Sequence, residues 1–593
     1  MTTKRRRLAT VVTLAALSLT ACGGADAPSS EGAAATEPTT TSSEATDVAG
    51  STAIDDAVSV AAVAENQESH VGDDDPASIE SDAVAIALQG PTATADDSSV
   101  EIDGSTVVIH EGGSYSLSGT LTDGQVVVDA GDEDVTLVLD GVDITNGDGA
   151  AIAVMSADRA TIVLSAGSIN ALADGASYQF PDAETDEPNA TLYSAADLTI
   201  AGDGELTVIG HYNDAIASKD GLVIESGTIA VDAVDDGIRG KDYVIVSAAS
   251  VTVAAGGDAI KADNDEDIDR GYVQISGGVV TLVAGDDGVQ AATDVIVTDG
   301  TLSIDAGTLS GTGRALQGDV LVAVSGGVID ASAVDDAIHS NDTVVIAGGT
   351  MTLAAGDDGI HGDLAVTVEA GSITVTDAYE GIEAEVITVN GGEIDITSDD
   401  DGLNVASSEA TAEPATTQQG GRPAGRGGGG PGAEVVGEHY IFINGGSISI
   451  TITGALAEQG DGIDANGHVV MNGGVVLVSG PTDTRNSALD YSGGTFVLTG
   501  GTLIGTNVDG RNSEGVGTGS TQPSLYVTTG ATVAATTVVE IVGPAGETLV
   551  TFEPANDYSV VVFSSPDLVE GETYEVLFDG EPAGTATAAV SGA

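Results

Sequence analysis

Apolar and polar residues alternate with a period of two over most of this chain. A typical stretch runs Val273-Gln274-Ile275, then Gly277-Gly278, then Val280-Thr281-Leu282-Val283. Runs of β-branched residues broken by glycine pairs predict short strands separated by turns. The 3.6-residue period of a helix is absent.

A second pattern lies over the first. Two acidic or small polar residues, a Gly or Ala and an aliphatic residue recur as a phrase. Copies begin at Asn213-Asp214-Ala215-Ile216, Asp235-Asp236-Gly237-Ile238 and Gly257-Asp258-Ala259-Ile260. They continue at Asp286-Asp287-Gly288-Val289, Asp335-Asp336-Ala337-Ile338, Asp357-Asp358-Gly359-Ile360 and Asp400-Asp401-Gly402-Leu403. Looser copies carry Arg314, Glu380, Asp461 and Ser487 at the second position. Most successive copies stand about 22 residues apart, and the two longest steps contain an acidic loop (265–270) and a Gly/Pro-rich stretch. A fixed short period of strands and turns is the signature of a solenoid, and a propeller blade needs about 40 residues. At roughly 3.3 Å per residue, 22 residues trace about 70 Å, enough for one coil of three strands and three turns. The expected fold class is therefore all-β, a single-stranded parallel β-helix.

Stacking coils about 4.8 Å apart puts the aliphatics from Ile216 to Leu403 in one inward column. It puts the preceding acids in a second column, expected to face outward at a turn. Carboxylates so close repel. Either the phrase is turn chemistry alone, or a hard cation bridges the column. Ca²⁺ takes six to eight oxygens from carboxylates, carbonyls and water, so Ca²⁺ is the expected cofactor. Its candidate ligands are Asp214, Asp235, Asp236, Asp258, Asp286, Asp287, Asp335, Asp336, Asp357, Asp358, Asp400 and Asp401. Arg314 and Ser487 interrupt the set. Three positions beyond each anchor stands a variable column, Arg239, Lys261, Gln290, Gln317, His339, His361, Glu383 and Asn404, expected to be a solvated face.

Charge sharpens the picture. The 593 residues hold 93 acidic against 15 basic side chains, a formal net charge of −78. Such a surface repels nucleic acid. Trp is absent, so a broad aromatic platform for cellulose is not available. The few basic residues include Lys219 and Lys241 in one register and Arg239 and Lys261 in another. They are the weak catalytic candidates if the chain is a lyase, since a lyase needs a base beside calcium. Their bland role is ion pairing with the acid column.

The start of the chain reads as an export signal. Residues 4–7 are basic and residues 8–19 apolar, followed by Leu19-Thr20-Ala21-Cys22-Gly23. This resembles a bacterial lipobox, with Cys22, the one cysteine, as lipid anchor. The expected organisation is a lipoprotein signal peptide (1–21), a disordered tether (22–80) and a β-helix (81–520). A disordered glycine-rich insertion (409–437) interrupts the helix, and a β-rich cap (521–593) closes it. The expected location is the bacterial cell surface, held to the membrane by lipid alone, as a monomer.

The stretches Glu187-Pro188-Asn189-Ala190-Thr191-Leu192-Tyr193-Ser194, Tyr212-Asn213-Asp214-Ala215-Ile216 and Val234 to Tyr243 resemble a family of secreted bacterial carbohydrate-binding proteins. The resemblance covers about residues 80–580. It implies a right-handed, calcium-containing parallel β-helix similar in fold to pectate lyases. It also implies affinity for cellulose- or pectin-like polysaccharide, without implying catalysis. A non-catalytic binder is the leading reading. A calcium-dependent polysaccharide lyase and a structural or adhesive surface protein stand as the alternatives.

Overall fold

The computed structural model describes residue 69 and residues 83–180, 186–406, 439–455, 459–491, 493–510 and 513–590. The signal peptide, Cys22, nearly all of the tether and the 409–437 insertion lie outside the described residues. The described chain is all-β, without helix, and winds into a solenoid of about 14 turns with coils of roughly 24 residues. Loops account for the excess over the 22-residue period: Ile260 pairs with Val289 across the acidic loop, and Leu403 with Ile463 across the insertion.

Each regular coil contributes one strand to each of three parallel faces. The anchor face carries Asp214–Ser218, Ile238–Gly240, Ile260–Ala262, Ile338–Ser340 and Ile463–Ala465 among its rungs. The second face carries strands such as Gly221–Ile224 and Thr343–Ile346, the third such as Thr228–Ala233 and Thr350–Ala355. The predicted inward column holds: Leu192, Ile216, Ile238, Ile260, Val289, Leu316, Ile338, Ile360, Ile382, Leu403, Ile463 and Leu489 pair rung to rung. All of them are fully buried. Burial of each such side chain is worth about 1.5–3 kcal/mol, and repetition along the axis makes the rod.

The glycines follow from this geometry. The glycine pairs form the turn into the third face, where Gly278, Gly327 and Gly349 adopt φ of 83°, 85° and 89°, a region costly for other residues. In the acidic phrase the reason is different. A Cβ on Gly237 would meet Val253 Cγ1 at 2.3 Å, so only a very small residue fits beside the anchor.

The end of the rod is closed by a change of pairing. Thr502–Asn507, the last strand of the third face, pairs antiparallel with Tyr558–Ser564, which also pairs with Ser524–Val533. A four-stranded antiparallel sheet follows, built from Val539–Val542, Thr548–Phe552, Thr573–Phe578 and Glu581–Thr587. Covering an open edge in this way prevents strand addition by other chains.

Candidate functional site

The anchor row is the most unusual part of the molecule. The second acid of each phrase was expected to face outward. It is buried instead: Asp214 is 1% exposed, and Asp236, Asp258, Asp336, Asp358, Glu380, Asp401 and Asp461 are similarly enclosed, with Asp287 half-buried. The reason is backbone hydrogen bonding. At the turn the regular ladder is interrupted, and the carboxylate replaces the missing acceptor. The Asp258 N–H donates to Asp236 Oδ1 at 3.0 Å, and the Asp287 N–H to Asp258 Oδ1 at 2.9 Å. Likewise Arg314 N–H donates to Asp287 Oδ1 (2.8 Å), Asp358 N–H to Asp336 Oδ1 (2.9 Å) and Asp461 N–H to Asp401 Oδ1 (2.5 Å). The first acids stay nearer the rim: Asp235 and Asp357 are exposed, and Asp286, Asp335 and Asp400 half-buried.

Oδ1 is thus committed to the fold, and Oδ2 meets the variable column. That column pairs in register from Ala217 through Arg239, Lys261, Gln290, Gln317, His339, His361, Glu383, Asn404 and Asp464 to Asp490. The expectation of a solvated face is corrected here. Gln317, His339 and Asn404 are buried, and Arg239 and Lys261 are largely covered, because the side chains lie against the carboxylates beside them.

In the N-terminal half the column supplies cations. Arg239 Nε stands 3.0 Å from Asp214 Oδ2 and its Nη1 3.4 Å from Asp263. Lys261 Nζ bridges Asp258 Oδ2 at 2.6 Å and Asp236 Oδ2 at 3.4 Å. Burial alone pulls the Lys261 ammonium down, but the carboxylates of Asp236 and Asp258 outweigh it and hold its pKa above the ordinary value. Arg314, in an anchor position, turns its guanidinium to Asp335 (3.2 Å) and Asp336 (3.5 Å). His339 and His361 follow, with Nδ1 2.6 Å from Asp336 Oδ2 and Asp358 Oδ2 respectively. Burial disfavours a charged His361 ring, yet its bonds to Asp358 and Asp363 push its pKa up to about 11.

In the C-terminal half the column supplies acids and one amide. Glu383, Asn404, Asp464 and Asp490 take the places of Lys261 and Arg239. Burial first, and then neighbouring carboxylates, raise Glu380, Asp401 and Asp461 well above the ordinary carboxylate range. Here ligand-type oxygens of Glu380, Asp400 and Asp401 lie within 4.8 Å of one another, as do those of Asp401, Asp461 and Asp464. Asn404, 6% exposed, donates its amide nitrogen to Glu380 Oε2 at 2.7 Å, while its Oδ1 is buried without a donor.

Of the predicted metal ligands, the fold brings together Asp335, Asp336 and Asp357 in one such group, and Asp400 with Asp401 in another. Asp336 and Asp358 each belong to a further group containing histidine. Among the described residues, Asp214, Asp235, Asp236, Asp258, Asp286 and Asp287 join no three-residue ligand group. The sequence reading left Glu380, Glu383, Asp461 and Asp464 out of the ligand set, and Asn404 with them. The available signal was the same three-residue offset, since Asp464 stands to Asp461 as Lys261 stands to Asp258. Of the basic quartet, Lys219 pairs with Glu187, and Arg239 and Lys261 pair as above. Lys241 makes no ion pair with a described residue. Cations held by carboxylates are poor proton acceptors.

Comparison with known proteins now gives the family. The sequence model of the carbohydrate-binding domain-containing protein family matches residues 103–359 and 357–510, well over half of the chain. The chain belongs to this family. Its members include a carbohydrate-binding domain-containing protein of Acetivibrio thermocellus, 44% identical over 128 residues, which are 21% of this chain and 45% of that protein. The chain thus spans under half the length of the curated relative it matches. A solved structure, the polysaccharide lyase-like protein from C. thermocellum in its gadolinium derivative, is 34% identical over 41% of this chain and 96% of that one, with a TM-score of 0.39. The family match, residues 103–510, falls on the repeating coils of the solenoid.

Proposed function

We propose that this chain is a non-catalytic carbohydrate-binding protein of the bacterial surface. It is exported, anchored through a lipid on Cys22, and binds plant-type or acidic polysaccharide along its solenoid. The observation that carries this reading is the family match over residues 103–510, which coincides with the repeating coils. The pairing of Lys219, Arg239 and Lys261 with carboxylates supports binding over lyase chemistry, because a base engaged by a carboxylate is poorly placed to take a substrate proton.

Calcium belongs to the acidic half of the rod in this reading. Glu380, Asp400, Asp401, Asp461 and Asp464 would hold it, with the Asn404 oxygen and Asp490 nearby. The donor set is all oxygen, as a hard cation requires. The orphaned Asn404 Oδ1 fits a cation better than empty space, since a buried acceptor without a partner costs about 1–3 kcal/mol. Calcium would supply the positive charge that Arg239, Lys261 and Arg314 supply further up the rod. It could also bridge to the carboxylates of a uronate polymer.

The test is a pull-down on pectate and cellulose with and without EDTA, run beside absorbance at the unsaturated-uronate band. Calcium-dependent retention with no new absorbance is the expected result. New absorbance that disappears in Lys241→Ala would replace this reading with a lyase. Retention on neither polymer would leave a structural surface protein.

A further inference from the structure

Two adjacent rungs of the variable column carry imidazoles, and their surroundings differ from those of every other rung. His339 and His361 stack with ring centroids 4.9 Å apart and planes inclined by 20°. Both are largely buried. Each ring has an oxygen acceptor at both nitrogens. His339 Nδ1 faces Asp336 Oδ2 at 2.6 Å and its Nε2 faces Asn341 Oδ1 at 3.1 Å. The Asn341 amide cannot turn round, because its Nδ2 donates to Asp319 Oδ1 at 2.7 Å. His361 Nδ1 faces Asp358 Oδ2 at 2.6 Å and Glu383 Oε2 at 3.5 Å, and its Nε2 faces Asp363 Oδ1 at 3.3 Å.

A neutral imidazole donates from one nitrogen only. In either neutral tautomer one ring nitrogen turns its lone pair on an oxygen lone pair: Nδ1 on the carboxylate if Nε2 keeps the proton, or Nε2 on Asn341 or Asp363 if Nδ1 keeps it. Positive charge on the pair removes that clash. Two protons can supply it, at the cost of two imidazolium rings stacked face to face. One divalent ion supplies it without that repulsion. An outer carboxylate or amide oxygen on the far ring nitrogen is also the usual support of a metal-bound histidine. The ligand atoms of Asp336, His339 and His361 lie within 4.8 Å of one another, and so do those of Asp358, His361 and Glu383. Ligand atoms around tetrahedral zinc stand about 3.3 Å apart for bonds of about 2.0–2.1 Å, so side-chain rotation suffices.

We propose that Asp336, His339, Asp358 and His361, with Glu383 at the rim, form a site for one divalent transition-metal ion of the zinc class. The site is distinct from the all-oxygen cluster below it, since imidazole nitrogen selects zinc, cobalt or nickel over calcium. Metal binding breaks the shared N–H···O bonds, forms metal–nitrogen and metal–oxygen bonds, and releases the displaced protons to solvent. The site does not depend on glycan binding.

The experiment uses the full chain, stripped with chelator and resupplied with excess calcium to fill oxygen-only sites. Zinc is then titrated by calorimetry and cobalt(II) by visible absorbance. A saturable zinc site and a cobalt d–d band that persist in excess calcium are expected. His361→Gln should weaken both at least about tenfold, the scale on which even outer-shell losses act, and His339→Gln should weaken them too. Gln occupies the same register at 290 and 317, so the rung accepts it. If a variant does not fold, ¹⁵N-histidine spectra of the native chain, which has seven histidines, decide instead: zinc should shift two Nδ1 resonances. Zinc binding abolished by calcium, affinity unchanged in both variants, or unshifted ring nitrogens would overturn the site and leave the imidazoles as internal counter-charges.

Discussion

Two stretches of one anchor row, Asp214 to Asp358 and Glu380 to Asp461, face the same electrostatic problem and are built differently. Both enclose anchor carboxylates whose Oδ1 accepts a backbone N–H from the next rung, with Arg314 the one break in the first stretch. The first stretch carries its own cations, Arg239, Lys261 and Arg314, and sets two imidazoles against the next carboxylates. The second sets Glu383, Asp464 and Asp490 in the equivalent places. The lesson is that the acid repeat is a folding device, and that the residue three places on decides whether a coil is self-sufficient.

The comparison breaks most sharply if an internal cation is removed. Arg239→Ala leaves Asp214 buried without its partner, and should cost about 3–5 kcal/mol. Hydrogen exchange at Ile216 and Ile238 should rise, whether or not EDTA is present. Retained protection would show that the guanidinium is dispensable.

A pH slope comes next. Burial raises the Asp214 carboxyl to about 7, with Arg239 opposing, and raises Asp287 to about 7 as well. Their unfolded values are near 3.9. A folded pKa above the unfolded one means that the native state holds the proton more tightly. The contribution is therefore complete below about pH 4 and is lost as pH rises through about 7. Each group should account for roughly 2–4 kcal/mol, at about 1.4 kcal/mol per pH unit. Denaturant midpoints in EDTA that rise across this window would contradict it.

Chelation should act on the other stretch. At calcium one hundred times its Kd the bound ion stabilises by about 2.7 kcal/mol, so EDTA should speed exchange at Leu403 and Ile463 and spare Ile238 and Ile260. Equal effects on both stretches would erase the distinction between them. The smallest change sharpens it: Asp464→Lys places an ammonium where Lys261 has one, and should cut the calcium-dependent part of stability by about 1 kcal/mol, the scale of a partly exposed pair.

Much of this was legible in the chain itself. The period-two alternation and the 22-residue phrase determine strands, coil length and the inward column from Ile216 to Leu403, because a side-chain period of two admits one buried face and a repeat admits one stacking. The glycine pairs mark turns for a local backbone reason, whereas the small residue after each anchor makes room for the next coil. The direction of the anchor carboxylate was not legible. Asp before Gly suggests a solvated bend, and only the closed coil reveals an unsatisfied N–H on the next rung that draws the carboxylate inward. Nor did spacing show that His339 Nδ1 meets Asp336 while its Nε2 meets Asn341, or that Asp464 joins Asp401 from 63 positions away. The Asp401–Asp464 contact crosses the insertion and exists only once stacking has set the register, and the His339 contacts, though local, depend on how the turn aims the ring and the carboxylate. The sequence by itself determined the rod and its acid row. The tertiary structure decided which acids already have a cation and which need one, because charge pairing depends on neighbours a few ångströms away, and in a solenoid those come from the next coil as well as from the same one.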